Sequence, residues 1–375
     1  MNFLTLVIQE TRAVLSNSYV MLTAIGGIVL YSFLYPLPYA GQVPREQKIA
    51  VVNHDRNMVS LKLERMVDAT PQVKIAARCA TLGQAEDLFL DGEIGGILVI
   101  PKNFHKDILL GKSPTLAYAG DASYFLIYGA IAQGISQAQA TLAGKVKIMN
   151  LIKDGTSPVL AKARYAPIHI NAKPCFNPTM GYVHYVVPAV FVLLLHQTLI
   201  MAVGLMTSGE GNAAGGAEWI SSLKKILIRT LVFSGIYTIL TLYCFGWSFD
   251  FYNISRLARP LDLLIFLTPF LISASFVGYL TGSLIPRREY VIALVLVSSM
   301  PLIFTAGFIW PVESLPPAAL WFSSLFPSTC AIQGFLALNQ MGTDFQDILG
   351  LWHQLWILCL CWGLACLCAG RFCRR

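Results

Sequence analysis

The sequence predicts a mainly α-helical membrane protein with six transmembrane helices, an extracytoplasmic α/β domain after the first of them, and an amphipathic interfacial helix at the N-terminus. The chain has 375 residues, of which 55% are hydrophobic and 13% charged, and its mean hydropathy is +0.61. This composition is far from that of a soluble domain. A membrane span needs about 20 apolar residues, because a helix rises about 1.5 Å per residue through roughly 30 Å of hydrocarbon. Six stretches are long enough: 19–37, 182–206, 226–247, 261–285, 290–310 and 349–369.

The net charge of +7 does not indicate a nucleic-acid partner, because the basic residues are spread along the chain without an aromatic-basic stripe. We interpret these residues as topology signals, since cytoplasmic loops are enriched in Lys and Arg. The signals are Lys224, Lys225, Arg229, Arg287, Arg288, Arg371, Arg374 and Arg375. They predict that both termini are cytoplasmic, although Arg256 and Arg259 then lie outside against the rule.

Residues 1–18 carry apolar side chains at helical spacing, with Gln9, Glu10 and Arg12 on the other side. This pattern predicts an amphipathic helix at the cytoplasmic membrane surface. The alternative is a frayed extension of the first span. We interpret residues 19–37 as an anchor rather than a cleaved signal peptide, because the apolar run is long and lacks a small-x-small site.

Residues 38–178 have the mixed charge and short apolar runs of a water-soluble domain. Strands are predicted at 48–53 and 96–100, with weaker candidates at 73–76 and 115–118. Helical spacing covers 58–69 and 82–91, and residues 124–152 predict a long helix. These strands and helices together predict an α/β domain. Of the nine cysteines, Cys79 and Cys175 fall in this region, which allows one disulfide but no framework.

Residues 307–342 contain no Lys or Arg and are interrupted by prolines, so they predict a broken, amphipathic segment after the fifth span. Aromatic rings such as these settle at membrane boundaries. We therefore place the segment at the outer interface, re-entering between longer helices near 311–342 within a five-helix domain, 179–375. As structural elements of an outer gate we select Trp310, Pro311, Pro316, Pro317, Trp321 and Pro327.

This proline-aromatic order, closed by a Pro327-Ser-Thr step and by Gly342, resembles the signature of permease subunits of type-2 ABC exporters. The motifs VVNHD (51–55), DGEIGGILVIP (91–101) and GDAS (120–123) resemble the outer domain of such permeases. The resemblance implies alternating access driven by cytoplasmic ATPase subunits, which bind the ATP, and pairing with a second permease copy or a paralogue. It also implies a bacterial inner-membrane location, and a hydrophobic or amphipathic substrate, as in multidrug efflux. A periplasmic adaptor and an outer-membrane channel are further partners of similar exporters.

Residues 207–222 form the loop in which related permeases place a short helix against the ATPase. The resemblance carries this coupling role to Glu210, and we add Glu218, Trp219 and Lys224 as neighbours. The sequence SGEGNAAGG (208–216) departs from the Arg-Glu-rich turn of the family. The alternative is a flexible linker.

No motif for ATP binding or catalysis is found in the sequence. Gly111-Lys112-Ser113 is a fragment of a P-loop, but the first glycine of that motif would fall on Lys106. Five cysteines, Cys359 to Cys373, lie in or beside the last span without a CxxC pair, which is typical of small apolar fillers. We expect no catalytic, cofactor or metal site in this chain, and the energy for transport must come from a separate ATPase.

Polar groups inside the spans are the candidates for a transport path, since polar side chains in hydrocarbon are costly and are often functional. They are His196, Gln197, Ser298, Ser299 and Thr305. The alternative for His196 and Gln197 is hydrogen bonding between helices.

Gly278 and Gly282 form a GxxxG pair in the fourth span. Such pairs let helix backbones approach closely. This indicates either helix packing within one subunit or a dimer face or transport path.

Two other functions remain open. The chain could be a membrane-anchored receptor or scaffold that uses the outer domain to bind a ligand. A lipid-modifying enzyme is less well supported, because Glu313, Asp344 and Asp347 have only His353 nearby in sequence.

Overall fold

The computed structural model describes residues 3–41, 43–166, 173–178, 180–208, 219–285 and 287–372. The chain divides into two compact units, Val43–Lys173 and the remainder, Met1–Gln42 with Pro174–Arg375. The first of these lies inside the predicted domain 38–178 and is narrower by about five residues at each end.

The N-terminal segment contains two helices, α1 (Phe3–Ser16) and the first candidate span, α2 (Ser18–Tyr39). They are separated at Asn17, whose extended backbone leaves the helical region. The Asn17 side-chain oxygen accepts hydrogen bonds from the Tyr19 and Val20 amides at 3.2 and 3.4 Å. Asparagine in this capping position starts a new helix. α1 is therefore a separate helix and not a frayed extension of the first span.

The α/β unit consists of a four-stranded sheet and its helices. Its elements are β1 (Gln47–Asn53), α3 (Met58–Asp68), β2 (Val73–Cys79), α4 (Leu82–Leu90), β3 (Gly96–Ile100), α5 (Phe104–Leu109), β4 (Ala117–Gly120), α6 (Phe125–Lys153) and α7 (Pro158–Tyr165). The strand order is β2-β1-β3-β4, with β2, β1 and β3 parallel and β4 antiparallel to β3.

The central strands β1 and β3 are apolar on both faces because helices cover both sides of the sheet. On one face, Val51 and Leu98 pack with α3 and α6. On the other face, Ala50 and Ile97 pack with Ala85 of α4. The sheet positions α3 and α6 side by side, with α5 and the approach to β4 close to them.

The strands and helices predicted for this unit are confirmed, with shifts at two weaker strands. β2 continues past the predicted residue 76 to Cys79, and β4 begins at Ala117 rather than at residue 115. β4 reaches Gly120, which pairs with Gly96 of β3. The Tyr118 ring occupies the space that side chains at these two glycines would need. Cys79 is a buried free thiol.

The second unit contains the remaining candidate spans and two short helices. Its further elements are α8 (Tyr182–Ser208), α9 (Trp219–Leu242), α10 (Pro260–Leu284), α11 (Arg288–Thr305), α12 (Pro317–Ser324), α13 (Pro327–Leu336) and α14 (Leu349–Phe372). Within the described residues, six helices are long and apolar enough to cross a membrane, and all six predicted spans overlap them. α9 continues through a wider turn to give the span Leu223–Phe251.

The fifth predicted span ends too late. α11 stops at Thr305, whereas the apolar run suggested residue 310. Gly307 has a positive φ of 87°, a left-handed conformation that ends the helix before the aromatic residues. Residues 307–310 therefore belong to the connection to α12.

α8 is the central helix of this unit, and it contacts α10 at backbone distance. A Cβ atom added at Gly278 would lie 2.8 Å from the carbonyl oxygen of Ile200, and one at Gly282 would overlap that of Gly204. The GxxxG pair of the fourth span is therefore used for packing within the subunit, where small residues allow close approach.

We expect Gly282→Ala to lower the free energy of unfolding by about 1–3 kcal/mol, because the added methyl group forces α8 and α10 apart. The control is Gly235→Ala in α9, where an added Cβ meets no atom within 4 Å. That change should be neutral or stabilising by up to about 1 kcal/mol, since alanine favours a helix. Thermal unfolding of both purified variants in one detergent measures the difference. Equal effects would contradict the packing argument.

Candidate functional site

Three helices, α1, α8 and α9, meet at a buried arginine. Arg229 lies in the third turn of α9, and its side chain is only 1% exposed. Its Nε donates a hydrogen bond to Oε1 of Glu10 in α1 at 2.6 Å. Its Nη1 donates to the hydroxyl of Thr207, near the end of α8, at 3.2 Å. We call these residues, Glu10, Thr207 and Arg229, the arginine cluster.

The arginine cluster is held by charge as well as by geometry. A guanidinium remains charged in proteins, so its burial requires a counter-charge and hydrogen-bond acceptors. The Glu10 carboxylate supplies the counter-charge, and its side chain is 15% exposed. Asn17 adds a second contact to α8, with its amide 3.6 Å from the sulfur of Met206. As a result, α1 is fixed to the C-terminal end of α8 and to the third turn of α9.

The predicted coupling residues lie between Thr207 and Arg229 in the sequence. Glu210 and Glu218 lie outside the described residues. Trp219 is the first residue of α9. Lys224 is exposed.

The pairing of Glu10 with Arg229 is not among the features predicted from the sequence. Arg229 is predicted there as a flanking topology signal, although that residue falls inside the predicted span 226–247. An arginine within a span, with an acidic residue on a nearby amphipathic helix, was the signal that could have identified the pair.

His196 and Gln197 lie in the middle of α8 and are buried. The His196 ring stacks on Phe270 of α10 with a centroid distance of 6.2 Å. Neither ring nitrogen and neither polar atom of the Gln197 amide has a hydrogen-bond partner among the described residues. The alternative role that the sequence left open, hydrogen bonding between helices, is therefore not found in the described part of the chain.

The hydroxyl groups of the predicted path are bonded to their own helix. Ser298 and Ser299 both donate to the carbonyl oxygen of Val295, at 2.8 and 3.0 Å. Thr305 donates to the carbonyl oxygen of Pro301 at 2.8 Å. These three hydroxyl groups on α11 therefore donate hydrogen bonds within their own helix. Among the described residues, no hydrogen bond joins them to His196 or Gln197.

The proline-rich segment, residues 311–342, contains two short helices, and it has a solvent-exposed part and a buried part. Pro317 and Pro327 occupy the first helical positions of α12 and α13, where a missing amide costs nothing, and Pro316 precedes α12. α13 is buried against α8, α10 and α14.

The predicted gate residues differ in their exposure. Trp310 is 56% exposed and Trp321 is 76% exposed, whereas Pro327 at the start of α13 is buried. Pro311 lies in the turn between α11 and α12 and is exposed. The Trp362 indole of α14 donates to the Leu325 carbonyl oxygen at 3.0 Å and fixes the turn between α12 and α13.

Comparison with known proteins gives one family. The family described as ABC-2 family transporter protein matches residues 18–368, a range that includes the α/β unit and all six candidate spans except the last residue of the sixth. No curated protein and no solved structure was found to match the chain.

Glu10→Ala should lower the free energy of unfolding by about 2–4 kcal/mol, because it leaves a buried guanidinium without its carboxylate. Gln9→Ala is the matched control on the exposed side of α1, and its effect should stay within about 0.5 kcal/mol. Chemical unfolding of the detergent-solubilised protein measures both. A Glu10 variant as stable as the Gln9 variant would mean that the pair does not hold α1.

His196→Leu should leave the stability unchanged or higher, because it removes polar atoms that lack partners and keeps an apolar side chain in place. Phe270→Ala removes the ring on which His196 stacks and should cost about 3–5 kcal/mol. The two thermal unfolding midpoints provide the test. A large loss of stability in His196→Leu would indicate a hydrogen bond outside the described residues.

Proposed function

Because the chain belongs to the ABC-2 family of transporter proteins, we propose that it is the permease of an exporter that moves a hydrophobic or amphipathic substrate out of the cytoplasm or the inner leaflet. An ABC-2 permease is a multi-pass transport subunit that works with an ABC ATPase and is not itself catalytic. The predicted spans hold few charged side chains, which suits an apolar substrate. They also lack the mid-span carboxylates that proton- or sodium-coupled carriers usually hold, which favours an ATP-driven exporter.

The arginine cluster is the observation that carries the coupling mechanism. The ATPase docks on residues 209–218 and the start of α9, with contacts from Glu210, Glu218, Trp219 and Lys224. ATP binding closes two ATPase subunits, and their motion pushes on this loop. Arg229 of α9 binds Glu10 of α1 and Thr207 at the end of α8. These three helices therefore move together at this point.

The substrate passes through a cavity that opens alternately to the two sides of the membrane. His196 and Gln197 supply its polar points on α8, and Ser298, Ser299 and Thr305 supply them on α11. This requires the packing of α8 on α10 to open, since His196 is fully enclosed in the present arrangement. The segment 311–342 forms the outer gate of that cavity.

Two copies of the chain, or one copy and a paralogue, pair through the membrane. The wide exposed apolar face of α11, where Val297 is 73% exposed, supports contact with a partner or lipid. Phe3, Leu4 and Ile8 of α1 are exposed as well and rest on lipid of the inner leaflet. We place the protein in a bacterial inner membrane with both termini in the cytoplasm and the α/β unit outside, where it is available to an adaptor and an outer-membrane channel.

The direct test is ATPase activity in lipid nanodiscs, with the chain coexpressed alongside candidate ATPases. Stable association, with stimulation by an added amphipathic compound, is the expected result. If no ATPase associates and the chain still binds a ligand through the α/β unit, it is a receptor or scaffold and the exporter proposal is wrong.

Glu210→Lys should reduce the ATPase that copurifies with the permease about tenfold, because it reverses a charge at the docking surface. Deletion of residues 208–218 should abolish association. Glu313→Lys is the matched control, since it makes the same charge change at an exposed position in the segment 307–342. ATPase binding that survives both loop changes would contradict the coupling assignment.

A further inference from the structure

A groove in the α/β unit has no role in the proposed transport cycle. It lies between α6 and residues 110–116, the connection from α5 to β4, and its volume is about 820 Å³. Pockets that hold small molecules have volumes of roughly 300–1,000 Å³. The groove is therefore large enough for one ligand of ordinary size.

The floor of the groove is apolar and is part of the core of the unit. Leu63 of α3, Phe104 of α5 and Ile135 and Leu142 of α6 form its buried part. Val146, one turn further along α6, extends this surface. The floor follows the axis of α6, so it offers an elongated strip on which a hydrocarbon chain can lie.

The rim of the groove is polar and positively charged. Lys112 and Lys147 both line it and are exposed, and none of its described lining residues is Asp or Glu. Lys112 has one weak ion pair, 3.9 Å from the Asp107 carboxylate outside the lining. Burial and the neighbouring Tyr128 raise the pKa of Tyr118 in the wall to about 12. Tyr118 is neutral at physiological pH, so the two lysines set the charge.

Lys112 belongs to the Gly111-Lys112-Ser113 fragment that the sequence analysis excluded as a P-loop. In the structure Gly111 has a φ of 71° and closes the end of α5. A phosphate-binding loop instead leads into the N-terminus of a helix, whose amides face the anion. Here the next element is β4, so Lys112 acts as a single charge at the rim.

We propose that this groove binds an anionic amphiphile with one hydrocarbon chain, the chain lying on the floor along α6 and the acidic head group between Lys112 and Lys147. The volume, the apolar floor and a rim on which the charged residues among the described lining are Lys112 and Lys147 together favour this class over neutral or cationic ligands. The groove lies wholly within the α/β unit and does not depend on an ATPase partner. The proposal therefore stands or fails separately from the exporter function.

Photo-crosslinking of the full chain in nanodiscs tests the proposal. The probe is a diazirine-labelled palmitate, and the labelled peptides are identified by mass spectrometry. We expect labelling within residues 104–118 and 132–150. The double variant Lys112→Glu/Lys147→Glu should reduce this labelling about tenfold, because two attractions become repulsions.

Lys145→Glu is the matched control, since Lys145 is exposed on α6 but does not line the groove. The probe should label the groove of this variant to the same extent as that of the unsubstituted protein. Thermal unfolding of each variant confirms that the exposed substitutions leave the fold intact. Labelling that is equal in the double variant and the control, or confined to the membrane spans, would overturn the proposal.

The head group is tested with two further probes. A diazirine-labelled lysophosphatidic acid distinguishes a phosphate from a carboxylate head group, and labelling of the groove by either anion supports the proposal. A diazirine-labelled alkylamine of the same chain length carries the opposite charge and should label the groove about ten times less than palmitate does. Equal labelling by the amine would overturn the proposal that Lys112 and Lys147 bind an acidic head group.

Discussion

The membrane unit depends on the contact between α8 and α10, where backbone meets backbone. Lipid supplies no hydrophobic force between helices, so their association depends on close packing. Gly204, Gly278 and Gly282 provide this packing because they carry no side chain. With α8 fixed in this way, α2, α9, α11 and α13 are arranged around it, and Phe335 of α13 packs edge-to-face against Phe270 of α10.

Each unit of the chain contains an ion pair with one buried partner, and each pair joins a helix to a neighbouring element. In the membrane unit, Arg229 binds Glu10 and so fixes α1. In the α/β unit the buried Glu64 of α3 accepts hydrogen bonds from Asn53 at 2.6 Å and Arg78 at 2.9 Å, at the ends of β1 and β2. The net energy of each pair is small, so its main effect is to fix the relative position of the elements that it joins.

The sequence predicted those features that depend on local pattern. Apolar runs of about 20 residues located the spans, and the strands β1 and β3 followed from short runs without charge. The end of α11 was missed because the apolar run continues past Gly307, whereas the positive φ of that glycine ends the helix. The arginine cluster was missed for another reason. Glu10 and Arg229 are 219 residues apart, and no periodic signal connects residues over such a distance.

His196 and Gln197 have a further consequence for the energy of the resting state. Each polar group that is buried without a partner costs roughly 1–3 kcal/mol, and both side chains lack partners among the described residues. An arrangement in which α8 and α10 separate and water reaches these atoms would recover that energy. Hydrating the centre of the bundle at these two side chains would therefore cost less free energy than hydrating a wholly apolar centre.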